Sequence, residues 1–236
     1  ILRCLVGSEM CIRDSYTRPV FFTKILDHDG KILINNEPET HRVLKDSTAF
    51  LLTDAMAGSM ETNRKFGSSI NSTSARANIP GMSNAGKSGT TSKNNDIWFV
   101  GYTPYYTAGI WAGCDSNQKL TAQNGGTSFH KNIWRNIMTR VHENLSDPGF
   151  TIPDSVETAQ ICRKSGKLAI PGVCTEDPRG NAVYTEYFAK GTVPSEMCNT
   201  HVRATVCAET GLLPGDSCPR TGGMPPKPLS PVPLAR

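Results

Sequence analysis

Asn84–Pro104 reads NAGKSGTTSKNNDIWFVGYTP. Its second half is apolar at successive positions, with Ile97 and Phe99 on one side of an extended chain and Trp98, Val100 and Tyr102 on the other. Such a run predicts a central strand covered on both faces. The first half places Lys87, two glycines and four hydroxyl residues at the entrance to that strand. Buried strands avoid that chemistry unless something uses it. Lys87 supplies a fixed positive charge, and Gly89 lets another backbone approach with no Cβ in the way. The hydroxyls of Ser88 and Thr90, with Thr91 beside them, can hydrogen-bond a carboxylate, and a backbone N–H here can serve as an oxyanion donor. Alone, Lys-Ser-Gly-Thr is a weak pattern that a surface loop also satisfies.

The flanks add organisation. Thr103-Pro104 opens a turn, and YTAGIWAGC (106–114) returns as a neighbouring strand whose Ala108, Gly109, Ala112 and Gly113 admit a close neighbour. GGTSFHKNIWRNIMTRVHENL (125–145) is the clearest helix, with Thr127 or Ser128 as cap. Phe129, Ile133, Trp134, Ile137, Met138, Val141 and Leu145 form its apolar stripe. That stripe is expected to pack on the adjacent sheet. Upstream, PVFFTKILDHDGKILI (19–34) predicts a hairpin around Asp27–Gly30. KDSTAFLLTDAMAGSM (45–60) predicts a helix capped by Asp46 or Ser47, with Phe50, Leu51 and Leu52 opening its apolar face. Residues 61–83 are small and polar and read as a loop.

A chain of 236 residues with 37% hydrophobic composition can bury one sizeable core plus an appendage. Its net charge of +4 comes without a basic run or an aromatic-interleaved patch, which argues against a nucleic-acid partner. No apolar stretch reaches the roughly 20 residues of a membrane-spanning helix. Of eight cysteines, five (Cys162, Cys174, Cys198, Cys207 and Cys218) fall in a segment rich in Pro and Gly, and none forms a C-x-x-C pair. This suits a disulfide-stapled appendage in an oxidising compartment rather than a zinc ribbon, with reduced thiols or a Cys/His metal site near His201 as the alternatives. No metal or cofactor is expected. The last segment, GGMPPKPLSPVPLAR, reads as a proline-rich flexible tail.

The chain opens ILRCLVGSEMCIRDS, without an initiator Met, and charges at Glu9, Arg13 and Asp14 interrupt any signal-peptide core. CLVGSEMCIRDS resembles a peptide produced by translating a sequencing adapter, so residues 1–15 are expected to be foreign to the protein.

The stretch AGKSGTTSKNNDIWFVGYTPYYTAGIWAGCDSNQKL (85–120) resembles, nearly position by position, the transpeptidase domain of class A penicillin-binding proteins. There a K-T-G-T-T strand is followed by a polar turn, an Asp, W-F-V-G-Y-T-P and a W-x-G-x-D return strand. The likeness extends over roughly residues 17–147, and EYFAKGTVPSEMCNTH (186–201) is similar to a C-terminal extension of many such proteins. The resemblance implies an α+β fold of the β-lactamase/transpeptidase type, an antiparallel sheet with helices on its faces, here incomplete on its N-terminal side. The expected division is 16–147 for the end of that domain, 148–219 for the cysteine-rich extension and 220–236 for the tail.

It also implies a peptidoglycan D,D-transpeptidase at the outer face of a bacterial membrane, anchored from outside this chain. Its partners would be stem peptides ending in D-Ala-D-Ala, β-lactams and a cell-wall synthesis complex. Lys87 would organise the proton network, and Ser88, Gly89, Thr90 and Thr91 would line the substrate site, the Thr90 N–H contributing to the oxyanion hole. Asp96 and Trp98 match the pattern as structural residues.

The family's nucleophile lies on S-x-x-K, upstream of S-x-N and then the lysine strand. Here Ser116-Asn117-Gln118-Lys119 and Ser92-Lys93-Asn94 follow Lys87, and Ser69-Ile70-Asn71 sits too close before it. All three are read as chance, so the nucleophile is expected outside this chain and the fragment is expected to be inactive alone. The competing readings are a D,D-carboxypeptidase or serine β-lactamase relative, and a non-catalytic peptidoglycan-binding module.

Overall fold

The computed structural model describes residues 15–202, apart from 19, 62–71, 125 and 178. The adapter-like start before Ser15, the Ser69-Ile70-Asn71 match, Cys4, Cys11, Cys207, Cys218 and the proline-rich tail therefore lie outside the described residues. The chain divides into two compact units between Ser155 and Val156. The fold is α+β, built on antiparallel sheets.

In the first unit, β1 (Ser15–Thr17) pairs with the later β4 (Thr40–Arg42). Between them β2 (Lys24–Leu26) and β3 (Ile32–Asn35) form the expected hairpin. Its turn is closed by Asp27, whose Oδ1 accepts from the backbone N–H groups of Asp29 and Lys31. Gly30 takes φ +81°, which a Cβ would oppose.

Helix α1 (Asp46–Gly58) begins one residue earlier than a side-chain cap would require, because Lys45 holds the cap position without a side-chain bond. The carboxylate of Asp46 instead accepts from the Ser47 N–H and from Ser155 Oγ. The expected face of Phe50, Leu51 and Leu52 is corrected. Phe50 is buried, but Leu52 faces solvent, and the buried side continues through Thr53, Asp54 and Ala57. Thr53 belongs there because its Oγ1 meets Tyr102 Oη at 2.9 Å, which satisfies two buried hydroxyls at once.

The centre of the unit is the meander β5 (Ala85–Thr90), β6 (Asp96–Tyr102) and β7 (Thr107–Gly113), with β6 in the middle. Ile97 and Phe99 are fully buried, whereas Trp98 and Val100 are only half-buried. Among the described residues one face of β6 is therefore sealed along its length, and the other only at its Tyr102 end, against Thr53 and Ala57 of α1. The first face is sealed by helix α2 (Phe129–Val141), which lies on β6 and β7. It docks through His130, Trp134 and Met138, a single i, i+4 ridge. The predicted stripe was too wide, since Ile133, Ile137 and Val141 are exposed. The ridge meets Met60, Ala77, Ile79, Met82 and Phe99 in one cluster, so the segment read as a polar loop contributes core residues. Trp134 and Phe99 meet edge to face at 5.1 Å, a geometry that adds about 0.5–1.5 kcal/mol to their area burial.

The second unit is a hairpin of β8 (Val156–Cys162) and β9 (Val183–Ala189), seven residues each and in continuous register. Polar residues interrupt the alternation, because only Val156, Ile161 and Cys162 of β8 are fully buried.

Candidate functional site

Strand β5 is an edge: among the described residues it pairs with β6 alone. Its first two residues, Ala85 and Gly86, are buried, and from Lys87 onward it emerges toward solvent. The buried end is tightly fitted. A Cβ on Gly86 would stand 2.7 Å from the Phe99 ring, and Ser59 Oγ donates to the Gly86 carbonyl. Asn84, just before the strand, donates through Nδ2 to the carbonyls of Met82 (2.5 Å) and Ile79 and to Asn78 Oδ1, tying the preceding loop to the strand entrance.

Cross-strand register sorts the candidate residues onto faces. Lys87 is opposite Val100 and Gly89 opposite Trp98, on the half-open face; Ser88 is opposite Phe99 and Thr90 opposite Ile97, on the face toward α2. Lys87 bridges the two, because its Nζ folds back to donate to the Ser88 carbonyl at 2.9 Å. Gly89 leaves open space, with the Trp98 Cβ at 3.5 Å the only neighbour a Cβ would touch. A second cation stands near: Lys131 is held below the ordinary lysine value by burial, and then by the charges of Lys87 and Arg76. Lys131 donates to the Thr73 carbonyl and Arg76 to Ser128 Oγ. The Lys87 end of the strand is therefore a positive field suited to an anion such as a carboxylate.

Thr91 Oγ1 accepts from the backbone N–H groups of Asn95 and Asp96, both at 3.0 Å, so this hydroxyl builds the β5–β6 turn. Asp96 holds its structural place, its Oδ1 accepting from Trp111 Nε1. Ser92-Lys93-Asn94 lies within that turn, with Asn94 at φ +56°, and Ser116–Lys119 lies in the turn after β7, with Asn117 at φ +53°. Neither is part of an ordered strand or helix beside Lys87.

The second unit contains a separate cluster. Cys162, Cys174 and Cys198 are free thiols, so the expected disulfide framework is not formed among the described cysteines. The three sulfurs converge on His201, with Nδ1 at 3.3 Å from Cys162 Sγ and 3.4 Å from Cys198 Sγ. On the far side of the ring Nε2 meets Asp177 Oδ2 at 2.8 Å, and Asp177 also accepts from Arg179. Burial pushes the Cys174 thiol up to about 12. Burial also opposes ionisation of Cys198, but hydrogen bonds from Ser165, Thr200 and His201 outweigh it and draw that thiol down to about 6. His201 is desolvated too, yet the Asp177 carboxylate lifts it above the usual imidazole value. The sequence signal for this cluster was the C-x-x-H spacing of Cys198 and His201, which a search for C-x-x-C pairs passes over.

Residues 12–139 match the penicillin binding protein transpeptidase domain family, and residues 152–203 match the penicillin-binding protein 1A C-terminal domain family. Penicillin-binding protein 1A of Clostridium botulinum (strain Hall) is 36% identical over 199 residues, which cover 84% of this chain and 23% of that protein. Penicillin-binding protein 1A/1B of Bacillus subtilis (strain 168) is 30% identical over 217 residues, 85% of this chain and 22% of that protein. The chain thus spans about a quarter of the length of these relatives. The crystal structure of penicillin-binding protein 1A from Haemophilus influenzae superposes with a TM-score of 0.67 at 19% identity, covering 84% of this chain and 33% of that one, a likeness of fold.

Proposed function

The chain belongs to the penicillin-binding protein transpeptidase family, and we propose that its first unit is the lysine-strand wall of a peptidoglycan D,D-transpeptidase site. The observation that carries this reading is the open edge of β5, where Lys87, Ser88 and Thr90 emerge from a strand that is otherwise locked into the core.

An unpaired edge offers backbone N–H and C=O groups to an extended peptide, which can add as a further strand. A stem peptide ending in D-Ala-D-Ala lies along that edge, its terminal carboxylate in the field of Lys87 and Lys131 and hydrogen-bonded by Ser88 and Thr90. Gly89 lets the two backbones close up. The Thr90 N–H lies where it can donate to the carbonyl oxygen as that oxygen gains charge. A serine oxygen attacks this carbonyl, D-Ala leaves, and an amine of a neighbouring stem peptide displaces the serine from the acyl ester. A β-lactam, which carries a carboxylate beside a strained amide, enters the same contacts. The serine is assigned to no described residue.

The test uses fluorescent penicillin on the native protein that carries this sequence. Covalent labelling is expected, with Lys87→Ala slowing it about 10²-fold or more, and no label on the 236-residue chain by itself. Wild-type labelling of Lys87→Ala would remove the lysine strand from the chemistry. A label on Ser116 or Ser92 in the chain alone would refute the assignment of the nucleophile. Turnover of the drug, rather than a lasting adduct, would make the protein a β-lactamase relative.

A further inference from the structure

We propose that Cys162, Cys174, Cys198 and His201 form a structural zinc site that holds the second unit together. The inference is independent of the transpeptidase reading, and it departs from the expectation that the chain carries no metal.

The four ligand atoms, three Sγ and one ring nitrogen, lie within 4.8 Å of one another. A tetrahedral ion with Zn–S of about 2.3 Å and Zn–N of about 2.0 Å needs donors roughly 3.5–3.8 Å apart, so small side-chain shifts close the set. The ligands come from separate points of the fold: Cys162 ends β8, Cys174 begins a short 3-10 turn, and Cys198 and His201 follow β9. Backbone pairing brings these points together. Leu168 N donates to Glu196 O and Cys198 N to Leu168 O, and Ala182 N donates to Cys174 O. The site is thus framed by main-chain bonds and not by the thiols alone.

The surroundings suit a metal on chemical grounds. Asp177 accepts from His201 Nε2, so a neutral ring presents the lone pair of Nδ1 to the sulfurs. That carboxylate–imidazole arrangement is the usual support of a metal-bound histidine. Backbone N–H groups of Ile170 and Thr200 donate to Cys174 Sγ and Cys198 Sγ, contacts that stabilise thiolate. Three sulfurs and one imidazole in a compact set select zinc over the oxygen-seeking cations.

Burial separates this from a catalytic Cys-His-Asp arrangement, which the same distances resemble. Cys162 and Cys174 are fully buried, and Cys198 and His201 are 5% and 2% exposed, so no thiol is open to a substrate. Stability points the same way. The main buried cluster of this unit consists of Cys162, Cys174, Cys198 and Ala182, so the would-be ligands are most of its core. A unit of this size with so few buried aliphatic side chains needs a staple, and a metal supplies one.

The experiment measures metal in the full chain, purified under reducing conditions from zinc-supplemented medium. About one zinc per chain is expected, retained in Cys114→Ser and lost in Cys198→Ala and His201→Ala. Because those last two variants can unfold, wild-type protein is also exchanged into cobalt. Intense d–d absorption of a tetrahedral ion with thiolate-to-cobalt charge transfer is expected. Substoichiometric zinc in the wild type, or a weak octahedral cobalt spectrum, would overturn the proposal. A disulfide joining any two of Cys162, Cys174 and Cys198 in peptide maps would do the same. So would rapid alkylation of Cys198 by iodoacetamide in metal-loaded protein, which would favour a reactive thiol.

Discussion

The indole of Trp134 lies so close to Gly101 that a Cβ built there would stand 2.7 Å from Cζ2, while Nε1 of the same ring donates to the Ala108 carbonyl at 2.9 Å. One side chain of α2 thereby sets its height above the sheet by contact with β6 and its position along it by a bond to β7. Gly101 is needed for space, not for backbone freedom, and Phe99 and the Ala85 carbonyl crowd the same point. Gly101→Ala should therefore destabilise the first unit by about 1–3 kcal/mol through overpacking. Trp134→Ala should cost about 3–5 kcal/mol. Urea titrations read both. Because the residues touch, the double variant should fall short of the sum, and an unchanged midpoint for Gly101→Ala would mean that α2 lies farther from the sheet.

His130, on the same ridge, is fully buried, and burial pushes it below the ordinary histidine value; the charge of Lys131 adds to this and a backbone interaction with Trp98 opposes it. An imidazole whose folded value lies below its unfolded value of about 6.5 is protonated first in the unfolded chain. Its contribution to stability is thus complete above about pH 6.5 and is lost as the pH falls below it. The slope from this single group is at most about 1.4 kcal/mol per pH unit. In an NMR titration the His130 ring proton should still report neutral imidazole at pH values below about 6.5, where an ordinary histidine is protonated. A midpoint at or above the ordinary histidine value would mean that burial does not govern His130.

Asn84 should be a joint between loop and strand. Its amide ties Asn78, Ile79 and Met82 to the start of β5, and Ile79 and Met82 belong to the core beneath α2. Asn84→Ala removes the donor to the buried Met82 carbonyl and to the Asn78 amide oxygen, at about 1–3 kcal/mol. Amide exchange around 78–83 should quicken more than exchange in β7. Equal acceleration throughout would mean global destabilisation instead.

These residues also mark what the sequence could and could not reveal. The meander was legible because Ile97, Phe99 and Gly101 alternate with Trp98 and Val100 at strand period, and because Thr103-Pro104 stops the strand where it does stop. The docking ridge of α2 was not, since Ile133, Ile137 and Val141 extend the apolar stripe in composition but face solvent, while Trp134 and Met138 are buried. His130, one turn before Trp134, completes the buried ridge although it lies outside that stripe. Ala77, Ile79 and Met82 were lost among hydroxyl residues because a loop core has no period. For the Cys162–His201 cluster the obstacle was distance along the chain. Three of its four ligands come from segments that only tertiary pairing unites.

Thr90 and Thr91 are adjacent in sequence and should separate in function. Thr90 is exposed on the edge strand, whereas Thr91 Oγ1 accepts from two N–H groups of the β5–β6 turn. Thr91→Val removes that acceptor, so it should lower stability by about 1 kcal/mol and leave acylation of the native protein by fluorescent penicillin near the wild-type rate. Thr90→Val preserves shape and removes a hydroxyl that nothing in the turn uses, so it should hardly change the urea midpoint while slowing acylation about tenfold or more. The pair distinguishes a ligand contact from a structural one on neighbouring residues. If Thr91→Val slows acylation as strongly as Thr90→Val at equal stability, the turn hydroxyl also reaches the substrate, and the edge-strand account must extend around the turn.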